Sequence, residues 1–147
     1  MKKLMSSTAV LLAIGLVALT GAAVPASAQV TRMRTNIPFA FYAAERMLPA
    51  GDYSLAMNIQ TRVLTLEPVG TTERYAVLLS PGTDTRKGDD LSNGMLRFTR
   101  YDDKIVLSAV WRPDWDQGNR VPMPKVMAEY ARTHSGAAAA AMDVVVK

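Results

Sequence analysis

The residue types best suited to chemistry are concentrated in one short segment, residues 111–120. It contains two tryptophans, two aspartates, two side-chain amides and two arginines. An indole ring can stack on the apolar face of a sugar, while carboxylate and guanidinium groups form hydrogen bonds with sugar hydroxyls. The segment therefore predicts a binding site for a sugar or glycan, formed by Trp111, Asp114, Trp115, Asp116 and Arg120.

A structural role accounts for the same two tryptophans, and the sequence favours it. Tryptophan is highly buried on average in folded proteins. Trp111 would then end a strand inside the core, and Trp115 would cover the open end of the β-structure. In this interpretation the charged neighbours cap turns and bind nothing.

Asp114 and Asp116 also suggest the paired acids of a glycoside hydrolase. Such enzymes hold two carboxyl groups about 5–10 Å apart across a sugar cleft, and one of the two has a raised pKa. Nothing in the sequence indicates surroundings that would raise the pKa of one of these two acids. The chain has no Cys, and its single His, His134, has no nucleophile pattern near it, which excludes thiol catalysis and most hydrolytic triads. We therefore expect no enzyme and no catalytic residues.

The same absences limit metal chemistry. Without cysteine the chain cannot form thiolate zinc or iron–sulfur sites, and a lone His134 makes a poor metal site. Residues 84–93 offer oxygen ligands for calcium, but their spacing fits no known calcium-binding loop, and two basic residues lie among them. The sequence therefore predicts no metal and no cofactor.

The first 28 residues follow the plan of a secretory signal peptide, with two lysines, an apolar run and small residues that end at Ala28. We expect cleavage before Gln29, export to the periplasm or the outside of the cell, and no membrane span after cleavage. An uncleaved anchor is the alternative. The remaining single domain, residues 29–147, carries a small net positive charge without a basic cluster interleaved with aromatics, so nucleic acid is not an expected partner.

The mature chain alternates apolar and polar residues in short runs that Gly, Pro, Asn or Asp interrupt, which is typical of antiparallel β-structure. The clearest hairpin pairs residues 95–101 with residues 104–111 around a tight turn. Regular alternation places Leu107 and Trp111 on one face of its second strand. The other predicted extended runs are residues 30–37, 39–42, 53–57, 62–67 and 74–79.

The rest of the chain lacks this alternation. Residues 80–94 are the longest polar segment and predict a mobile loop. Prolines and a glycine after Trp111 argue against a continuing central strand. Helical spacing then predicts an amphipathic helix at about residues 124–135, with Val126 in its apolar stripe, and β-branched residues predict a last strand at about residues 142–147. The predicted fold class is mainly β: an antiparallel meander that forms a small barrel or sandwich, with one C-terminal helix.

An antiparallel meander of this size can fill its interior with side chains or enclose one small hydrophobic ligand. Methionines would make adaptable walls for such a ligand, but they also fill irregular gaps in ordinary cores. The sequence favours the filled core over the carrier. The predicted interior residues are Phe39, Phe41, Leu55, Met57, Leu96, Phe98 and Leu107.

Three segments occur in a characteristic order: IPFAF at residues 37–41 with LPAGDY at 48–53, LRFTRY at 96–101 with LSAVW at 107–111, and Pro124-Lys125 at the start of the predicted helix. With these segments the chain resembles a group of small exported proteins of soil bacteria that have no known activity. It departs from them in having Lys104-Ile105-Val106 where an aromatic pair is commoner, and in a longer tryptophan loop. The resemblance implies a β-rich fold and brings no substrate, partner or cofactor.

The sequence thus predicts an exported, non-catalytic binding or structural β-domain of the cell envelope. One alternative is a carrier of a small hydrophobic ligand in a β-barrel. Another is a carbohydrate-binding or glycoside-cleaving protein that uses residues 111–116. A further alternative is an assembly subunit, in which residues 33–37 or 144–146 form an edge strand that pairs with another chain.

Overall fold

The computed structural model describes residues 30–86, 90–134 and 140–147. The predicted signal peptide, residues 1–28, lies outside the described residues. The described chain is mainly β with one C-terminal helix, which confirms the predicted fold class. In chain order the elements are β1 Val30–Ile37, β2 Phe41–Ala43, β3 Arg46–Leu48, β4 Gly51–Asn58, β5 Val63–Pro68, β6 Tyr75–Leu78, β7 Ser80–Thr85, β8 Gly94–Tyr101, β9 Lys104–Trp111, β10 Gln117–Arg120, α1 Lys125–Thr133 and β11 Ala140–Val146.

The first sheet is antiparallel in the order β1-β4-β5-β6, so that β4, β5 and β6 form a meander, whereas the β2–β3 hairpin separates β1 from β4 along the chain. Alternate side chains of β4 and β5 are buried, as the period-2 pattern predicts, and the inward face of β1 carries the buried Met33 and Ile37 with half-buried threonines beside them. Register aligns these side chains in rows across the sheet, because Met33 lies opposite Leu55, and Leu55 lies opposite Leu66. The apolar face of this sheet is thereby continuous.

The second sheet has the order β11-β8-β9-β10-β7, and the β2–β3 hairpin joins it through a parallel bridge between Tyr42 and Val106. Phe98 of β8 makes edge-to-face contacts with Phe39 and Phe41, at ring centroid distances of 5.0 and 5.3 Å. Phe41 in turn contacts Tyr53 of the first sheet at 5.6 Å. These rings fill the space between the two sheets.

The two sheets pack as a sandwich and do not close into a barrel, so the barrel alternative is wrong. They meet along one side, where the backbone of Arg34 exchanges two hydrogen bonds with that of Lys147, and the Thr35 hydroxyl donates to the carbonyl of Val145. The two edges suggested for assembly, residues 33–37 and 144–146, are thus partly occupied by each other.

Besides the short strand β3, which no predicted extended run covers, two strands, β7 and β10, were not expected from the sequence, which predicts a loop at residues 80–94 and no strand directly after Trp111. They pair with each other, and β10 also pairs with β9. A Cβ atom on Gly82 would lie only 2.5 Å from the carbonyl oxygen of Gly118, so glycine permits their close approach. The sequences of β7 and β10 are polar and show no hydrophobic alternation. β7 lies at the edge of the sheet, where one side of the strand has no neighbour among the described strands. Residues 87–89 of the predicted loop lie outside the described residues.

A register shift between Arg97 and Phe98 corrects the predicted faces of β9. Ser108 is the extra residue: its hydroxyl donates to the carbonyl of Arg97, and the next residue begins the opposite alternation. Leu107 therefore packs between the sheets, whereas Trp111 packs with Met95 on the other face. The two side chains do not share a face as regular alternation predicts.

The helix α1 is shorter than the predicted range of residues 124–135, and its predicted stripe is only partly buried. Met127 is buried, but Val126 is exposed. The carboxylate of Glu45 accepts a hydrogen bond from the backbone N–H of Lys125, and the Tyr130 hydroxyl donates to Asp102. No helix in the described part of the chain is long and apolar enough to cross a membrane.

Candidate functional site

A surface cleft of about 570 Å³ lies between the start of β1 and the turn that connects β9 to β10. The turn contributes Asp114 and Trp115, which the sequence analysis singled out, and Arg112, which it did not. Val30 and Thr31 of β1 form the opposite wall. The cleft thus combines an aromatic ring, a hydroxyl, a carboxylate and a guanidinium group.

The two tryptophans have different environments. Trp111 is only 1% exposed, and its indole N–H donates to the carbonyl of Asp116 at 3.1 Å. Trp115 is 47% exposed at the rim of the cleft. The structural interpretation therefore fits Trp111, whereas Trp115 does not cover an end of the core and is available to a ligand.

The guanidinium of Arg112 lies on one face of the Trp115 ring, with its central carbon 3.5 Å from the ring centroid. A cation at this distance from an indole face is attracted by the π electrons of the ring. Partial burial lowers the pKa of Arg112, which stays charged at neutral pH.

The turn that carries Trp115 is fixed at both ends by backbone hydrogen bonds. Asp114 has a φ of 63°, in the left-handed region, and its N–H donates to the carbonyl of Leu91 at 2.6 Å. The carbonyl of Asp116 accepts a second bond from the backbone N–H of Arg86 at 2.9 Å, besides that from Trp111. Trp115 is thus held between two anchored neighbours.

Arg86 also anchors the neighbouring loop, a role that its place in a polar segment did not predict. It is 8% exposed, and both terminal nitrogens of its guanidinium donate to the carbonyl of Asn93 at 3.1 Å. One of them also donates to the carbonyl of Asp90 at 3.5 Å. Within the described residues its Nε has no partner. The Arg86 side chain thus holds the loop whose Leu91 carbonyl accepts a hydrogen bond from Asp114, and the Arg86 backbone N–H holds Asp116 at the other end of the turn.

Replacing Arg86 by Ala should lower the free energy of unfolding by about 2 kcal/mol, because the charge-assisted bonds from its buried guanidinium to the backbone carbonyl of Asn93 are lost. Chemical denaturation followed by circular dichroism measures this change. Arg74→Ala is the matched control, since Arg74 forms an exposed ion pair with Glu67 and should cost below about 1 kcal/mol. Equal losses in the two variants would contradict the anchoring role of Arg86.

The remaining predicted site residues lie outside the cleft. Asp116 contributes its carbonyl to the anchoring bonds, and its side chain does not line the cleft. Arg120 pairs with Asp84 of β7 at 3.6 Å. Val30 and Thr31 were missed because the approach of β1 to this turn is a tertiary contact, whereas Arg112 lies in the segment identified from the sequence but was not named among its site residues.

The predicted interior residues lie together between the sheets. Phe39 is half-buried, and the other six are buried in one core cluster. The contacts of Phe98 with Phe39 and Phe41 leave these rings in direct contact with each other, as in a filled core. None of the surface clefts described here is lined by these residues.

The suggested metal ligands do not converge in the described part of the chain. No group of three or more His, Asp or Glu side chains there could hold a metal ion. Hydrogen bonds from Ser92 lower the pKa of Asp90, whose carboxylate accepts from the Ser92 backbone at 2.9 Å. His134 is exposed and stacks on Tyr130, with ring centroids 4.1 Å apart. Asp89 lies outside the described residues.

Comparisons of the chain with protein-family models, curated proteins and solved structures give no match. The function of the chain has to be inferred from the cleft itself. The arrangement there can hold a ligand by stacking and hydrogen bonding.

Proposed function

We propose that this chain is an exported, non-catalytic binding domain, and that it binds a saccharide in the cleft beside Trp115. The observation that carries the proposal is the half-exposed Trp115 ring at the rim of a cleft that also presents Asp114 and Thr31. Export rests on the sequence of residues 1–28, and without disulfides an exported domain is held by its core alone.

The chemistry of the cleft suits a sugar ring. Trp115 stays half-exposed although the Arg112 guanidinium lies over its ring. A sugar can place its C–H groups on that surface, while its hydroxyls reach the Asp114 carboxylate and the Thr31 hydroxyl.

The edge of β1 adds backbone groups to this surface. The backbone N–H and C=O of Arg34 point away from β4 and bond Lys147. In an antiparallel strand the backbone groups of residues two positions apart point to the same side, so those of Arg32 also point away from β4. Strand-edge donors and acceptors of this kind can bond the hydroxyls of a ligand that extends along β1.

Binding without catalysis is favoured because Asp114 is the only one of the two suggested acids that lines the cleft. The carrier hypothesis receives less support, since the rings that would line its cavity contact one another. A purely structural role would not explain why the Trp115 side chain is half-exposed.

Trp115→Ala should weaken binding of a cleft ligand by about tenfold or more, because the variant loses the aromatic stacking surface of the cleft. A glycan array identifies ligands of the purified protein, and isothermal titration then measures the affinities of the variants. Val126→Ala is the control, since Val126 is an exposed apolar residue on α1, away from the cleft. Absence of any saccharide ligand, or equal binding by Trp115→Ala, would refute the proposal.

A further inference from the structure

Positive side chains continue from the Trp115 cleft along β1. Arg32 and Arg34 are exposed at alternate positions of this strand, and Lys147 is exposed beside them. These three side chains line a second cleft of about 340 Å³, together with Met33 and Ser54. We call Arg32, Arg34, Lys147 and Arg112 the basic stripe.

The residues of the basic stripe form no ion pair with an acidic side chain in the described part of the chain, and three of them share one cleft. Arg97 pairs with Asp143 at 2.8 Å, and Arg74 pairs with Glu67 at 3.0 Å. Neighbouring cations without counter-charges create a positive potential that attracts anions.

We propose that the saccharide is acidic, and that its chain lies along β1 with carboxylates on the basic stripe and one ring against Trp115. This inference rests on the proposed function and names the class of its ligand. Arg112 is the central contact, because its guanidinium lies over the Trp115 ring in the same cleft. A guanidinium group can bond both oxygens of a carboxylate at once.

The dimensions and the ends of the stripe fit an extended chain. At about 3.3 Å per residue, β1 from Val30 to Arg34 spans about 13 Å, which is longer than one sugar ring. The stripe ends near Asp52, whose carboxylate accepts a hydrogen bond from the amide of Asn36 at 2.8 Å. The negative charge of Asp52 limits how far an acidic ligand extends in that direction.

Nucleic acid is the competing polyanion, because its bases can also stack on an exposed indole. The carboxylate of Asp114 in the same cleft as Arg112 disfavours it. A backbone with one phosphate per nucleotide brings closely spaced charges near Asp114, whereas an acidic sugar can turn its hydroxyls towards that group.

The test uses oligogalacturonate, which carries one carboxylate per sugar, and its fully methyl-esterified form as the neutral probe of equal length. Isothermal titration of the purified protein at low salt should show at least tenfold tighter binding of the acidic form. The double substitution Arg32→Gln and Arg34→Gln should reduce that preference about fivefold or more. The charge-matched control, Arg100→Gln with Arg132→Gln, changes two exposed arginines on β8 and α1 and should leave the affinity unaltered.

Each outcome bears on a different claim. Equal affinity for the acidic and neutral forms would overturn the role of the basic stripe and leave the proposed function intact. Binding of neither form, with no other saccharide bound on an array, would overturn both. Tighter binding of a single-stranded oligonucleotide of equal charge would show that the stripe recognises a different polyanion and would overturn the assignment to a saccharide.

Discussion

Replacing Phe98 by Ala should lower the free energy of unfolding by about 3–5 kcal/mol, the usual range for removing a buried aromatic ring. Phe98 is fully buried and contacts Phe39 and Phe41 edge to face. Its removal forfeits these contacts and leaves a cavity that the two sheets cannot close without moving, because both are tied by strand pairing. Urea denaturation followed by circular dichroism measures the loss.

Two further variants sharpen the result for Phe98. Phe98→Leu keeps most of the buried volume and should cost clearly less than Phe98→Ala. Leu78→Ala removes an exposed apolar side chain of β6 and should change stability by at most about 0.5 kcal/mol. A loss below about 1 kcal/mol in Phe98→Ala would mean that the core is not tightly filled. That result would favour the carrier hypothesis over a solid sandwich.

Gly118→Ala should lower the free energy of unfolding by about 3 kcal/mol, at the upper end of the range for overpacking. A Cβ atom at this position would lie 2.7 Å from Cζ2 and 2.8 Å from Nε1 of Trp111, well inside van der Waals contact. The indole has little room to retreat, because it is buried and its N–H is bonded to Asp116. Thermal or chemical denaturation of the variant gives the value.

A double-mutant cycle tests the cause of the Gly118 effect. Trp111→Leu removes the atoms that the new methyl group would meet, so Gly118→Ala should cost much less in that background than in the native chain. Equal costs in both backgrounds would show that the indole is not the obstacle. The saccharide affinity of Gly118→Ala should also fall, since Trp111 and Asp116 help to hold the turn that carries Trp115.

Local pattern was sufficient to predict most strands. The hairpin at residues 95–101 and 104–111 appears as β8 and β9, with the turn at Asp102-Asp103 that the acidic pair indicates. The failures have a common physical origin. The polar strand β7 is stabilised by pairing with β10, and the bulge at Ser108 reverses the faces of β9. Neither feature leaves a periodic signal in the chain, because both depend on residues distant in sequence.

The candidate site shows the same division. Trp115 and Asp114 were identified from residue type alone, because an aromatic beside a carboxylate is chemically distinctive at any position. The sequence could not separate Trp115 from Trp111, since the difference lies in what covers each ring. Gly118 packs against Trp111, whereas Trp115 projects to the rim of the cleft.

By itself the sequence determined the β-rich class, the helix near the C-terminus and the absence of thiol chemistry, because these follow from composition and local periodicity. Only the tertiary structure decided that the sheets form a sandwich and that the core is filled by Phe98 and its neighbours. It also placed the start of β1 in one cleft with the Arg112–Trp115 turn and gathered Arg32, Arg34 and Lys147 in a second cleft. Such contacts join residues about 80 positions apart, and their energy depends on packing geometry that no local pattern records.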